Sequence, residues 1–191
     1  MVVSNARADA ISVVDQQNSG PFTGTQGGVV FGQSFTPSLS RIDVFEVEIG
    51  DQGAIAQVQI LDGVSGFDGL GGAVLGTSAP LPIDVNNRQP FQFIFPGGVA
   101  LTPGDTYVAR IFATSGLFAP GLAGISITTT NAYTGGQLLE AGFSDTSPDL
   151  VNFDAVFREG TNVPEVPTLW LVAAGLGITL LGARRLIVTR A

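Results

Sequence analysis

Short runs in which apolar and polar residues alternate, each closed by glycine, proline, asparagine or aspartate, commit this chain to β-structure. Phe45, Val47 and Ile49 alternate with Glu46 and Glu48, and Ala56, Val58 and Ile60 alternate with Gln57 and Gln59. Phe91, Phe93 and Phe95 share one phase of a third run. A period of two sends one set of side chains to a core and the other to solvent. Phe31 to Pro37, Thr106 to Ala113 and Gly124 to Thr130 read as further strands. Leu101-Thr-Pro-Gly-Asp105 reads as a turn, with Pro103 at its second position and Gly104 at the position that needs φ > 0. A last strand is expected over Leu150 to Phe157, with Val151, Phe153, Ala155 and Phe157 inward and Asn152 and Asp154 outward. The glycine-rich stretch Asp62 to Gly76 is expected to be a loop, and Pro96-Gly97-Gly98 to end the strand before it. This order predicts an all-β, jelly-roll-like antiparallel sandwich over residues 11–158.

Composition narrows the chemistry. The 191 residues include 26 glycines and 11 prolines, and only 13% are charged, as suits a turn-rich domain. Cysteine, histidine and lysine are absent, so disulfides, thiolate or imidazole catalysis and Schiff-base chemistry are excluded. No phosphate-binding glycine loop with lysine occurs. Residues 1–163 hold 15 acidic residues against five arginines, a formal −10, which repels phosphate backbones and excludes nucleic acid as a partner. From Pro164 on, one glutamate and three arginines give +2.

That change of sign accompanies a change of pattern. A polar linker over 159–167 leads into Thr168 to Ala183, 16 residues without a charge, and then Arg184-Arg185. As a helix the apolar run would be about 24 Å long. With its flanks it approaches the hydrocarbon thickness of a bilayer, and the arginines would stay on the cytoplasmic side. Residues 168–191 are expected to form a transmembrane helix with a basic end, Trp170 marking its interface. At the other end, Met1-Val-Val-Ser-Asn is too short and polar for a signal core. Ala6-Arg7-Ala8 and Ala8-Asp9-Ala10 fit the small-x-small cleavage pattern, so residues 1–10 are expected to be the remnant of a signal peptide.

The tail order of Pro164-Glu165, Val166-Pro167, apolar helix and Arg184-Arg185 resembles the PEP-CTERM sorting signal of bacterial surface proteins. In that family's motif a second proline stands where this chain has Val166. The resemblance implies that an exosortase-type membrane enzyme is a partner. It also implies that Pro164, Glu165, Pro167, Arg184 and Arg185 carry the sorting information, and that the protein belongs to the surface or extracellular polysaccharide of a Gram-negative cell. Within the domain, four groups of residues are similar to choice-of-anchor surface domains. They are Gln33-Ser34-Phe35-Thr36-Pro37, Leu101-Thr102-Pro103-Gly104 with Tyr107-Val108, Tyr133-Thr134-Gly135-Gly136, and Asp149-Leu150 with Phe153. That resemblance implies architecture and no defined activity.

Three constellations are candidates for chemistry. Arg41-Ile-Asp43-Val-Phe-Glu46 resembles the Glu-x-Asp-x-x-Glu strand of jelly-roll β-glucanases, but Arg41 stands at the nucleophile position, so catalysis is not expected. Glu46 and Glu48 lie about 6.6 Å apart along one strand face, as two solvated carboxylates would. Asp62 and Asp68 bracket a glycine-rich loop and could hold calcium, which needs only oxygen ligands; Asp145, Asp149 and Asp154 gather near the last strand. Turn formation alone also accounts for such residues. Tyr133, beside Gly135-Gly136, could line a carbohydrate groove or pack in the core or a loop. The residues favour a non-enzymatic exported surface protein, structural or adhesive, without a required cofactor. A calcium-assisted carbohydrate-binding module is the alternative.

Overall fold

Where the alternation is strongest the chain is extended, and antiparallel pairing joins the strands into two sheets packed as a β-sandwich. The computed structural model describes residues 11–20, 24–27, 30–115, 124–129, 133–141 and 152–162. The signal remnant expected over 1–10, Asp145, Asp149, Leu150, Val151 and everything from Val163 onward lie outside the described residues. The strands are β1 (Val13–Asn18), β2 (Gly24–Gly27), β3 (Val30–Phe35), β4 (Arg41–Asp62), β5 (Ala73–Thr77), β6 (Leu81–Ala100), β7 (Tyr107–Ser115), β8 (Gly124–Thr128), β9 (Leu138–Glu140), β10 (Asp154–Ala155) and β11 (Phe157–Thr161).

One sheet runs β1, β11, the first half of β4 and the second half of β6. β8 joins it at Ile49 and Gly50 and carries β2 and β10. The other runs β9, β3, β7, the second half of β4 and β5. Long β4 and β6 pass from one sheet into the other and pair along both halves. The inward phases meet in one core. Phe45, Phe93 and Phe157 come from the first sheet, and Phe31, Phe35, Val58, Ile60 and Ile111 from the second. Phe45 stacks on Phe157 at 5.5 Å between centroids and tilts against Phe35 at 6.2 Å, and Tyr107 also tilts against Phe35 at 6.2 Å. Such ring pairs add about 0.5–1.5 kcal/mol each to the burial term.

Three local expectations are corrected. The stretch Asp62 to Gly76 is not loop throughout, since its last four residues belong to β5, which pairs with Gln59–Asp62. The loop part folds over the outer face of the second sheet, where Leu70 joins Leu61, Val108 and Leu139 in a small second cluster. Glycine is required on both sides of that contact. A Cβ on Gly32 would meet Leu70 at 2.5 Å, and Gly69 holds φ +74°.

Pro96-Gly97-Gly98 does not end its strand. It forms a bulge, because Ile42 pairs with Val99 but Val44 with Ile94, and the surplus residues include Gly97 and Gly98 at φ 85° and 70°. Only glycine adopts that backbone without strain.

The last expected strand breaks at Val156 into β10 and β11, and β11 continues through Thr161, past the expected domain boundary at 158. Asp154, expected outward, is fully buried. Its carboxylate accepts from Gln33 Nε2 at 3.2 Å and from the Tyr133 backbone N–H at 3.0 Å, which offsets the desolvation cost that favoured an outward reading.

Candidate functional site

The outer face of the first sheet carries a groove of about 180 Å³ between β1, β11, β4 and β6. Its polar lining includes Gln17, Asn18, Glu46, Glu48 and Arg158, and Pro90, Val156 and Phe157 make the rest largely apolar. Strand alternation builds it, since Phe45, Val47 and Phe157 point inward and leave Glu46, Glu48 and Arg158 on the opposite face. Register then brings Arg158 directly opposite Glu46, and Gln92 opposite Glu46 on the other side.

Glu46 is not the freely solvated carboxylate that the sequence suggested. It is 9% exposed. It accepts from Arg158 Nε at 2.6 Å, from a terminal Arg158 nitrogen at 2.8 Å and from Gln92 Nε2 at 2.9 Å. Arg158 reaches it two-pronged, an arrangement that is short, directional and charge-assisted. Glu48 accepts from the Ser126 hydroxyl at 2.6 Å. Asn18 is held by its amide, which donates to Thr128 Oγ1 at 3.0 Å and to the Ala155 carbonyl at 2.8 Å. The groove is a rigid array of satisfied polar groups. It can present hydrogen-bonding atoms to a polar ligand, but Glu46 has its lone pairs committed to a guanidinium and an amide. Arg41, at the nucleophile position of the glucanase-like run, pairs instead with Asp43 at 2.7 Å.

The other candidates fall elsewhere. Tyr133 is a core residue, 8% exposed, with its ring edge-on to Phe157 at 5.2 Å. Its hydroxyl accepts from the Thr36 N–H at 3.1 Å and donates to Gln16 Oε1 at 3.3 Å, so no ring face is offered to a sugar. Burial raises the Tyr133 pKa, the Thr36 bond opposes this, and the carboxylates of Glu159, Asp15 and Asp154 reinforce it. Asp68 closes a tight turn by accepting from the Leu70 N–H at 3.1 Å, the conformational use of aspartate. Asp62 ends β4, exposed. Among the described residues no three carboxylates gather into a metal-binding cluster. The tail residues Pro164, Glu165, Pro167, Arg184 and Arg185 lie outside the described residues, and no described helix is long and apolar enough to cross a membrane.

Asp15 and Glu159 escaped sequence reasoning. Glu159 continues the inward phase of Ala155 and Phe157, a signal that was present but read as the start of a polar linker. Its carboxyl is fully buried, and burial first, then Asp15, pushes its pKa up to about 8.

No known family model matches this chain, and no curated protein matches it. What the geometry defines is a class, an antiparallel β-sandwich with a groove of mixed polar and apolar lining on one outer face.

Proposed function

We propose that the protein is a non-enzymatic surface domain, exported and tethered by its C-terminal segment, with a structural or adhesive role at the envelope or in extracellular polysaccharide. The observation that carries this reading is the tail sequence itself: a charge-free run of 16 residues followed by Arg184-Arg185, placed after the end of the last strand. Its likeness to PEP-CTERM tails supports sorting by an exosortase-type enzyme through Pro164, Glu165 and Pro167. The sandwich supports the same reading from the other side. Its strands interlock through β4 and β6, as suits a load-bearing module, and on this reading the arrangement is of the jelly-roll kind. Adhesion would use the groove beside Glu48 and exposed Gln17, whose hydrogen-bonding groups can meet a hydroxyl-rich ligand.

Topology provides the test. With an epitope placed after Ala191, protease added to exporting cells whose outer membrane has been opened should remove the sandwich and spare the epitope, because Arg184-Arg185 holds that end inside. An epitope digested together with the domain would refute the anchored orientation.

A further inference from the structure

Glu159 is the one side chain among the described residues whose buried oxygens have no hydrogen-bond partner. Alternation along β11 turns it inward, opposite Phe45 on β4 and Gln16 on β1. Asp15, beside it, occupies a bulge where the β1 register skips from Val14 to Gln16. The bulge aims the Asp15 carboxylate at the turn after β3. There it accepts from the backbone N–H groups of Ser38 at 2.8 Å and Leu39 at 2.9 Å, and from the Ser38 hydroxyl.

The charged and titratable surroundings offer Glu159 no cation. β1 presents the Asp15 carboxylate, which raises the Glu159 pKa, and the backbone N–H of Gln16, which opposes that rise. The segment before β9 presents Tyr133, whose own titration feels Glu159, Asp15 and Asp154 of β10. The neighbour across on β4 is apolar Phe45, and Arg158 of β11 faces the opposite side toward Glu46. Two ionised carboxylates side by side in such a site would be penalised by lost hydration and by mutual repulsion. A single proton removes both penalties.

We propose that Glu159 keeps its proton and donates it to the Asp15 carboxylate, and that this bond closes a clasp fastening β11 to β1 and to the turn at 36–39. Release of the proton to solvent leaves a charge on buried Glu159 beside the half-buried carboxylate of Asp15, and the least costly relief is separation of β1 and β11. Because β11 is the strand that precedes the tail, the clasp would make the junction between domain and tether sensitive to alkaline conditions. That consequence rests on the tether reading above; the clasp itself does not.

The sign follows from the two end states. The unfolded carboxyl releases its proton near 4.5, the folded one near 8. Between those values the folded protein binds the extra proton, so stability falls as pH rises through the window and levels off above it. One proton corresponds to a loss of up to about tenfold in the folding equilibrium per pH unit.

The test uses the full-length protein in mild detergent, comparing wild type with Glu159→Gln at about pH 6 and about pH 9. Thermal melting and amide exchange, corrected for the intrinsic effect of pH, are the readouts. Wild type should lose protection selectively in Gln16–Asn18 and Phe157–Thr161 at the higher pH, while β3 and β7 keep theirs. Glu159→Gln should remove most of that selective loss, because its amide can donate to Asp15 at either pH. An unchanged pH slope in the variant would overturn the clasp. Should the variant fail to fold, the carbon-13 signal of the wild-type Glu159 carboxyl decides. Titration above about pH 7 supports the proposal, and titration in the ordinary glutamate range defeats it. Recovery of the wild-type melting temperature at about pH 9 by calcium or magnesium alone, absent in Glu159→Gln, would also overturn it by showing a cation site in place of the retained proton.

Discussion

Alanine at Phe45 is expected to destabilise the protein by about 3–5 kcal/mol. The ring is fully buried, stacks on Phe157 and tilts against Phe35, so it touches aromatic partners that belong to both sheets. Truncation removes its transfer free energy and leaves a cavity that β4 cannot close. The same strand is paired with β11 on one side and β6 on the other. Chemical denaturation of the full-length protein in mild detergent reads the loss as a lower midpoint with an unchanged slope. A cost below about 1 kcal/mol would mean that the two sheets do not share this core.

The second large effect is expected at Arg158. Replacing it with alanine should cost about 2–3 kcal/mol, because Glu46 then remains almost buried with only Gln92 to satisfy it. The Arg158 side chain is 30% exposed, which keeps the figure below that of a fully buried pair. Adding Glu46→Gln to Arg158→Ala should recover part of the loss, since the stranded charge disappears. That recovery separates the pair from an ordinary surface ion pair, for which the double-mutant cycle would return less than about 1 kcal/mol. Loss at Arg158 within about 0.5 kcal/mol would place Glu46 back among solvated carboxylates.

These two residues show what a single sequence discloses. Phe45 was legible because burial on one face of a strand imposes a period of two, and the Phe45, Ala56-Val58-Ile60 and Phe91-Phe93-Phe95 phases all point inward. Glu46 was legible as outward but not as paired, because Arg158 reaches it from a strand 112 positions away. β1 and β5 gave no periodic signal for a physical reason. They lie along the margins of their sheets, and β5 leaves Val74 and Leu75 49% and 43% exposed. Buried polar residues were misread for the converse reason. Glu159 sits on the inward phase of Ala155 and Phe157 but reads as the start of a polar linker, and Asp154, on the alternate phase, reads as solvated although it is fully buried. Only the Gln33 and Tyr133 contacts reveal why Asp154 is tolerated. Tyr133 was open in the sequence between a carbohydrate groove and packing in the core or a loop; the fold buries its ring and uses its hydroxyl to bind the Thr36 amide.

The tether is the claim on which the functional reading depends, and membrane partition tests it most directly. The chain and a version lacking Pro164–Ala191 would each be expressed behind the same export signal, and the envelope membranes separated from the soluble fraction. The full chain should sediment with membranes and resist extraction by high salt, because about 16 apolar residues bind the bilayer through burial and not through charge. The truncated chain, acidic and ending beyond β11, should be wholly soluble. Equal recovery of both forms in the soluble fraction would contradict the account.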